Sequence, residues 1–396
     1  MNDRYFWVIL VIVILIPILI VSLFVIFRGV YAQSIELFVG VDAAYDNLEE
    51  IKLFVDEVSS YTNTIILGST GITHNFTKLN DVCQYIYDKG MYFMIYAHPI
   101  GDPAELLVQC EWIIDAKPRW GDQFLGLYAF DEPGGRQLDN ATWKVLLDED
   151  WFADNYTDAA DKYVSELTLI INHAIDDQMC GVDLRLFTSD YALYWFDYKS
   201  EYDAVFAEFG WNYSRQLNVA LCRGAANVQN KDWGIIITWT YLQWPYLESG
   251  SELYDDMVLA YENGAKYIIV FDTNENYTHS VLDKDEEGNY EPQGHYDALK
   301  NFWQYVEDNP RSSDPIRNRV AYVLPEGYGY GFRGPEDKIW GLWEADEFSL
   351  EISTELGGLL DRYQNRLDVI YEDGLEAGNS YGYSRLIFWN GTVWVP

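Results

Sequence analysis

Short apolar runs alternate with amphipathic helical stretches over most of the 396-residue chain. Runs rich in Val, Ile, Phe and Tyr are typical of buried strands, whereas apolar residues that recur about every third or fourth position predict helices. The predicted strands are Glu36–Tyr45, Thr64–Thr70, Met91–Pro99, Phe124–Gly135, Leu184–Asp190, Ala204–Trp211, Trp233–Tyr241 and Lys266–Phe271. The predicted helices are Asn47–Tyr61, Phe76–Lys89, Pro103–Ala116, Asp158–Asp177, Ser214–Asn227, Glu252–Asn263 and Tyr296–Val306.

Strands that alternate with helices predict a parallel sheet, and eight such units predict a closed (β/α)8 TIM barrel of the α/β class. We place this barrel at residues 34–310. Asp308–Arg311, at its C-terminal end, forms the linker to the rest of the chain. The remaining residues, 311–396, predict a small α/β module, for which a flavodoxin-like arrangement is one alternative. Its predicted elements are strands at Arg319–Leu324, Leu367–Tyr371 and Arg385–Trp389 and a helix at Leu350–Asn365. We expect this module to pack on the barrel.

The first segment is predicted to span a membrane. Tyr5–Phe27 is a run of 23 residues without a charge, bracketed by Arg4 and Arg28. At ~1.5 Å per residue this run crosses a ~30 Å hydrocarbon core. A cleaved signal peptide has an apolar region of only about 7 to 15 residues, so residues 1–33 favour an uncleaved signal-anchor. Cleavage after Val30-Tyr31-Ala32 remains the alternative.

Acceptor triplets for N-glycosylation favour a globular part outside the cytoplasm. Asn-x-Ser/Thr occurs six times, against roughly two occurrences expected from composition. The acceptor residues are Asn75, Asn140, Asn155, Asn212, Asn276 and Asn390. With the predicted anchor, these triplets predict a single-pass glycoprotein of the cell membrane.

The charge balance limits the possible partners. Lys and Arg total 26 against 63 Asp and Glu, which gives a formal net charge of -37. Such a surface repels phosphate backbones, so nucleic acid is excluded as a partner, whereas a neutral or cationic ligand is compatible.

The four cysteines show no spacing typical of a metal site. Cys83 and Cys110 lie in consecutive predicted helices, so an oxidising compartment could link them. The alternative is that all four cysteines, including Cys180 and Cys222, are buried thiols that pack in the apolar core.

The C-terminal ends of the predicted barrel strands meet at one rim, where active sites of such barrels lie. Asp131 and Glu132 follow an apolar run directly, and Glu208 lies near the end of strand six. Glycosidic bonds are hydrolysed by two carboxyl groups, of which one donates a proton and the other attacks the sugar or activates water. We therefore take Glu132, Asp131 and Glu208 as candidate catalytic residues. Candidate substrate-binding residues at the same rim are Asp42, His98, Asp190, Trp239, Trp244 and Asp272.

The barrel, the Asp131-Glu132 turn and the aromatic rim resemble the glycoside hydrolase barrel superfamily, and the following α/β module resembles the arrangement in some β-galactosidases. In the largest clan of retaining β-glycosidases the acid/base is a Glu after strand four, which implies Glu132 here. The nucleophile of that clan is a Glu after strand seven. Here Thr238–Tyr241 offers no carboxylate. In several α-glycosidase clans the nucleophile follows strand four and the acid/base follows strand six, which implies Asp131 and Glu208.

The sequence therefore predicts a membrane-anchored, extracytoplasmic glycoside hydrolase acting on polysaccharide or cell-surface glycan. Glu132 would donate the proton, and Asp131 or Glu208 would be its carboxylate partner. The alternative is a non-catalytic carbohydrate-binding or cell-envelope structural protein on the same barrel. No phosphate-binding glycine loop, GxSxG or HExxH occurs, and we expect neither a cofactor nor a metal.

Overall fold

The computed structural model describes residues 36–97, 103–139, 153–175, 184–210, 213–238, 249–273, 294–311, 318–375 and 381–395. Eight parallel strands pair in chain order, and β8 closes the barrel on β1. The predicted eight-stranded barrel is therefore confirmed. The strands are β1 Phe38–Ala44, β2 Thr64–Leu67, β3 Tyr92–Ala97, β4 Phe124–Ala129, β5 Arg185–Asp190, β6 Ala204–Glu208, β7 Asp232–Thr238 and β8 Tyr267–Thr273.

Helices follow the strands and cover the outside of the barrel. Most begin at a side-chain cap such as Asn47, whose Oδ1 accepts from the amide of Glu49, and bury one apolar face against the strands. The helices of the barrel are α1 Leu48–Val58, α2 Thr70–Thr73, α3 Phe76–Asp88, α4 Pro103–Trp120, α5 Pro133–Asp139, α6 Tyr156–Ile175, α7 Tyr194–Lys199, α8 Arg215–Gln229, α9 Gly250–Glu262 and α10 His295–Asp308.

Alternate residues of each strand fill the barrel interior, as the period of two of a β-strand requires. The interior cluster includes Phe38, Ile66, Met94, Tyr128, Phe187, Phe206, Ile236, Tyr267 and Ile269. Continuing this alternation to the C-terminal ends places Asp42, Ser189 and Glu208 inside the barrel. The same alternation turns Asp190 and Asp272 outward, toward the helices.

Besides the short helix α2, two helices of the barrel were not predicted. The predicted fourth strand extends to Gly135, but β4 ends at Ala129 because Phe130 adopts a left-handed φ of 66°, and α5 then starts at Pro133. Proline is well suited to a first helical position, where its missing N–H costs no hydrogen bond. The second unpredicted helix is α7, between β5 and β6.

The C-terminal module forms a four-stranded sheet in the order β10-β9-β11-β12, with strand β12 antiparallel to its neighbour. Its elements are β9 Val320–Leu324, α11 Glu347–Tyr363, β10 Leu367–Tyr371, β11 Arg385–Phe388 and β12 Val393–Trp394. The three predicted strands and the helix are all present. The order resembles a small α/β layer with an added antiparallel edge strand.

The expected packing of this module on the barrel is also confirmed. The buried guanidinium of Arg223 on α8 donates to Asp368 on β10 at 2.7 Å, and Gly224 lets the two elements approach closely. At a second contact, Gln137 on α5 donates to the carbonyl of Trp340 at 2.9 Å. The module therefore supports the helix that directly follows the Asp131-Glu132 turn.

The predicted membrane anchor, residues 1–33, lies outside the described part of the chain. None of the helices that the structure does describe is long and apolar enough to cross a membrane. Asn75, Asn155 and Asn390 are exposed, whereas Asn140, Asn212 and Asn276 lie outside the described residues. Cys83 and Cys222 are buried free thiols; the side chains of Cys110 and Cys180 lie outside the described part.

Candidate active site

The turn after β4 is held in an unusual backbone conformation. Phe130 and Glu132 have φ angles of 66° and 55°, in the left-handed region that residues other than glycine rarely adopt. Hydrogen bonds to the neighbouring strand fix it: the amide of Glu132 donates to the carbonyl of Ser189 at 3.0 Å, and the hydroxyl of Thr188 donates to the carbonyl of Phe130. Backbone strain of this kind concentrates at functional sites, where the surrounding structure maintains it.

Asp190 anchors the helix that follows this turn. Its buried carboxylate accepts from the amides of Gly134 and Gly135, the latter at 2.8 Å, in the first turn of α5. A side chain at Gly135 would collide with the ring of Tyr191, so the helix can approach β5 only with glycine there. The sequence Asp-Glu-Pro-Gly-Gly therefore encodes one defined turn.

A hydrogen-bond network joins three strand ends at the top of the barrel. The phenol of Tyr128 donates to Oδ1 of Asp131 at 2.6 Å and lies 2.7 Å from Oγ of Ser189. Ser189 in turn donates to Oε1 of Glu208 at 2.7 Å. Asp131 and Glu208 are thus connected through a single serine hydroxyl, and both carboxyl groups have fixed positions.

Glu132 completes the cluster. Its Oε2 accepts from Nε of Arg136 at 3.2 Å, and Arg136 also lies 3.6 Å from Asp131. Glu132 and Glu208 lie close enough for each carboxyl group to shift the pKa of the other.

Both carboxyl groups of this pair have raised pKa values. Burial and the neighbouring charge of Asp131 raise the pKa of Glu132 to about 7, although Arg136 opposes the shift. Burial and the charge of Glu132 hold the pKa of Glu208 well above its usual range, although some of its surface is exposed. The guanidinium of Arg136 stabilises the ionised form of Glu132.

Asp42 lies at the same level of the interior, on β1. Its residue is 4% exposed, and its carboxyl group occupies the space that a side chain at Gly68 would need. The Oδ1 atom has no hydrogen-bond partner among the described residues. Burial, with the charges of Asp131 and Asp272, raises its pKa well above the usual range. Asp42 therefore keeps its proton to higher pH than an ordinary aspartic acid.

The buried acid at Asp42 predicts a pH-dependent stability. The native state keeps a proton on Asp42 that the unfolded chain releases above about pH 4, so stability from this group is lost as pH rises toward the native pKa. The contribution is about 1.4 kcal/mol per pH unit. In urea unfolding above about pH 4, the change in unfolding free energy per pH unit should therefore be more positive in Asp42→Asn than in wild type, by up to this slope.

The matched control for Asp42→Asn is Asp161→Asn, at an exposed carboxylate on α6. This control should keep the pH dependence of the wild-type protein, because Asp161 is exposed and lies outside the barrel interior. An unchanged slope in Asp42→Asn would show that Asp42 is ionised in the folded protein.

The structure separates the predicted rim residues into two groups. Asp131, Glu132, Glu208 and Asp42 lie together at the top of the barrel. Asp190 and Asp272 do not face this space: Asp190 is fully buried among backbone amides, and Asp272 is buried and accepts from Tyr45. A structural role replaces the predicted substrate contact for both. His98, Trp239 and Trp244 lie outside the described residues.

Four residues of the site were not predicted: Tyr96, Tyr128, Arg136 and Ser189. Tyr96 stacks beside Tyr128 with ring centroids 5.9 Å apart, and burial raises its pKa to about 12, so it stays a neutral phenol. Two of the four had a signal in the sequence. The alternation from Phe187 places Ser189 inside the barrel, and Arg136 lies four residues after Glu132, one helical turn away.

No group of three or more His, Cys, Asp or Glu side chains in the described part of the chain is arranged to hold a metal ion. The described site offers carboxyl groups, one guanidinium, one serine and two phenols.

Comparison with known proteins adds information on the fold. The chain matches no family model. It matches no curated protein sequence. Its structure is similar to a glycoside hydrolase family 5, subfamily 18 protein from Bifidobacterium longum subsp. longum in complex with Manβ1-4GlcNAc, with a TM-score of 0.55 and 11% identity over 91% of this chain and 97% of that one.

A second similar structure is a subfamily 18 protein from Bifidobacterium longum subsp. infantis, with a TM-score of 0.54 and 10% identity over 91% of this chain and 98% of that one. Because both matches span nearly all of each chain, they include the C-terminal module as well as the barrel. At such low identity the likeness concerns the fold, and the chemistry must be argued from the site itself.

Proposed function

We propose that this protein is a glycoside hydrolase that cleaves glycosidic bonds with Glu132 and Glu208. The observation that carries this proposal is the cluster of carboxyl groups at the C-terminal end of the barrel, in which Ser189 joins Glu208 to Asp131 and Arg136 joins Asp131 to Glu132. Burial and mutual repulsion raise the pKa values of both Glu132 and Glu208. One protonated and one ionised carboxyl group in the same place are the two groups that glycoside hydrolysis needs.

In the proposed reaction Glu208 is the proton donor. It gives its proton to the glycosidic oxygen while the bond from that oxygen to the anomeric carbon breaks, and the leaving sugar departs as an alcohol. The carboxylate of Glu132 attacks the anomeric carbon and forms a glycosyl ester. Glu208, now ionised, takes a proton from water, which attacks the ester and releases the second sugar with Glu132 ionised again.

We expect retention of anomeric configuration. Inverting enzymes hold their carboxyl groups about 6.5 to 9.5 Å apart to leave room for water, whereas retaining enzymes hold them about 5 to 5.5 Å apart. Glu132 and Glu208 are close enough for each to shift the pKa of the other, which fits the shorter separation better. Arg136 is placed to hold Glu132 during the reaction.

This mechanism changes the assignment that the sequence suggested. From the sequence, Glu132 was taken as the proton donor, as in the largest clan of retaining β-glycosidases. The salt bridge from Arg136 favours the ionised form of Glu132, so the proton donor is instead the carboxyl group after strand six. Asp131 accepts from Tyr128 and contacts Ser189 and Arg136, so it orients the pair rather than reacting.

We extend the proposal to glycans outside the cytoplasm. The apolar segment Tyr5–Phe27 would anchor the chain in the cell membrane, and the acceptor triplets would carry N-glycans. The exposure of Asn75, Asn155 and Asn390 is compatible with such modification. The complex of one structural relative with Manβ1-4GlcNAc suggests including β-mannosides among the first substrates tested.

The experiment that tests the proposal is reducing-sugar release by the full chain in detergent on a panel of α- and β-linked glycans. We expect release from at least one glycan, and no release by Glu132→Gln. Binding without release by the wild-type protein would instead support a non-catalytic carbohydrate-binding protein. Neither binding nor release would favour a structural role in the cell envelope.

A further inference from the structure

The loop between β9 and α11, residues 325–346, extends from the C-terminal module to helix α5 of the barrel. Gln137 of this helix binds the backbone of Trp340 in the loop, and Asp139, the last residue of the helix, binds Arg333. Helix α5 has only 7 residues, and a helix this short is only marginally stable by itself. Its position therefore depends on the groups that contact it.

The β9–α11 loop has a defined backbone conformation. Trp340 is fully buried, and its indole N–H donates to the carbonyl of Gly327 at 2.8 Å. Phe332 and Trp340 have φ angles of 62° and 56°, a left-handed conformation that residues other than glycine keep only where the surrounding structure maintains it. Because Phe332 directly precedes Arg333, this conformation sets the direction from which the arginine approaches α5.

Arg333 joins the loop to the end of α5 through its guanidinium. Its Nε and Nη2 donate to the two carboxylate oxygens of Asp337 in the same loop, at 2.8 and 2.7 Å. This two-bond arrangement fixes the plane of the guanidinium, and Nη1 then donates to Asp139. Only 14% of the arginine side chain is exposed. Arg333 is therefore engaged by protein groups, and it acts on α5 rather than on a substrate.

Tyr191 contacts the same helix from the barrel side. Its phenol donates to Asp139, and its ring occupies the space that a side chain at Gly135 would need. The guanidinium carbon of Arg333 lies 5.8 Å from the centroid of this ring, within the range of cation–π attraction. Arg333, Asp139 and Tyr191 thus form a cluster that contacts α5 from Gly135 to its last residue.

We propose that Arg333 is a positioning residue, which holds the end of α5 and thereby keeps Arg136 against Glu132. Arg136 lies on the same helix, three residues before Asp139, and donates to Oε2 of Glu132 at 3.2 Å. A tilt of this short helix would move the guanidinium of Arg136 away from the carboxylate that it stabilises. The catalytic part of this inference rests on the proposed function.

The test compares Arg333→Met with Lys199→Ala in the full chain. Methionine keeps an apolar stem but has no N–H group. Lys199 at the end of α7 also joins the barrel to the module, but its ion pair is with Asp373, at 2.6 Å, instead of with α5. We expect Arg333→Met to lower kcat by at least about tenfold with KM nearly unchanged, because misplacement by about 1 Å can lower a rate about a hundredfold. Lys199→Ala should keep kcat within about twofold of wild type.

A double-mutant cycle tests the connection through Asp139. Asp139→Ala should lower kcat with KM nearly unchanged, as Arg333→Met does. In the Asp139→Ala background, Arg333→Met should lower kcat no further, because both substitutions break the same contact. Additive losses would overturn the inference, and so would a loss confined to KM, since Arg333 would then bind the substrate.

A second readout does not depend on hydrolysis. Hydrogen exchange of the backbone amides of α5 should be about tenfold or more faster in Arg333→Met and unchanged in Lys199→Ala. If the wild-type protein released no sugar, this readout would still decide the structural claim while the proposed function failed.

Unchanged exchange of the α5 amides in a folded Arg333→Met variant would overturn the inference. If that variant does not fold, Asp139→Ala gives the same two readouts, because the side chain of Asp139 is half-exposed and its loss should be tolerated. Unchanged kcat and unchanged exchange in Asp139→Ala would then overturn the inference.

Discussion

Replacing Glu132 with glutamine should lower kcat on a cleaved glycan by at least about a thousandfold, which would be among the largest effects of any single substitution in this chain. The glutamine amide cannot attack the anomeric carbon to form the glycosyl ester, and it has no ionised form that Arg136 could stabilise. The side chain keeps its size, and 23% of it is exposed, so folding should be preserved. Steady-state kinetics on the cleaved glycan, with circular dichroism as the folding check, measures this effect.

The role of Glu132 is separated from a general loss of activity by rescue. In Glu132→Gly, added azide can attack the anomeric carbon in place of the missing carboxylate, so a glycosyl azide should form. The matched control is Asp161→Asn on α6, which should behave as wild type because that carboxylate is exposed and outside the site. Rescue in Glu208→Gly but not in Glu132→Gly would show that the two roles are reversed.

Replacing Glu208 with glutamine should lower kcat by about 10²- to 10⁴-fold on natural glycans, because their leaving groups need a proton. Aryl glycosides with acidic phenol leaving groups need little protonation and should be cleaved with a much smaller loss in the first step. The amide oxygen of glutamine can still accept from Ser189, so the network that holds Asp131 should remain. A comparison of kcat/KM on the two substrate types measures the difference.

The pH profile gives an independent check on Glu208. Its raised pKa means that the proton donor persists to higher pH than an ordinary glutamic acid and is lost as pH rises through that pKa, so wild-type activity should fall on the alkaline side. Glu208→Gln should lack this alkaline fall on activated aryl glycosides. Equal losses on natural and activated substrates would contradict the role of proton donor.

Much of the barrel could be predicted from the sequence. The apolar runs around β1 to β8 are long enough and separated widely enough to indicate parallel strands, and the carboxylates at their ends indicate a site. Asp131, Glu132 and Glu208 were named on this basis, and the structure brings them together. The C-terminal strands were predicted for the same reason.

The roles within the site could not be predicted. The alternation of a strand stops at the turn, so it gives no direction for Asp131 or Glu132, whose positions depend on the left-handed residue Phe130. For Asp190 the alternation still applies: Phe187 faces the barrel interior, so strict alternation places Asp190 on the outer face, toward the helices. The salt bridge from Arg136, which decides where the proton lies, requires the unpredicted helix α5.

Helix α5 also explains why the C-terminal module matters for the site. Gln137 of this helix is bound to Trp340, and Asp139 at its end is paired with Arg333 of the module. The turn that carries Glu132 is therefore held by Asp190 on one side and by the module on the other. Such support from surrounding groups is what a precisely placed reacting group requires.

The measurement that tests the central claim most directly is proton NMR of the first product formed when the full chain cleaves a glycan of known anomeric configuration. A closely spaced Glu132–Glu208 pair, as proposed, predicts that this product has the same configuration as the substrate, before it equilibrates in water. A first product of inverted configuration, or no cleavage of any glycan tested, would contradict the account.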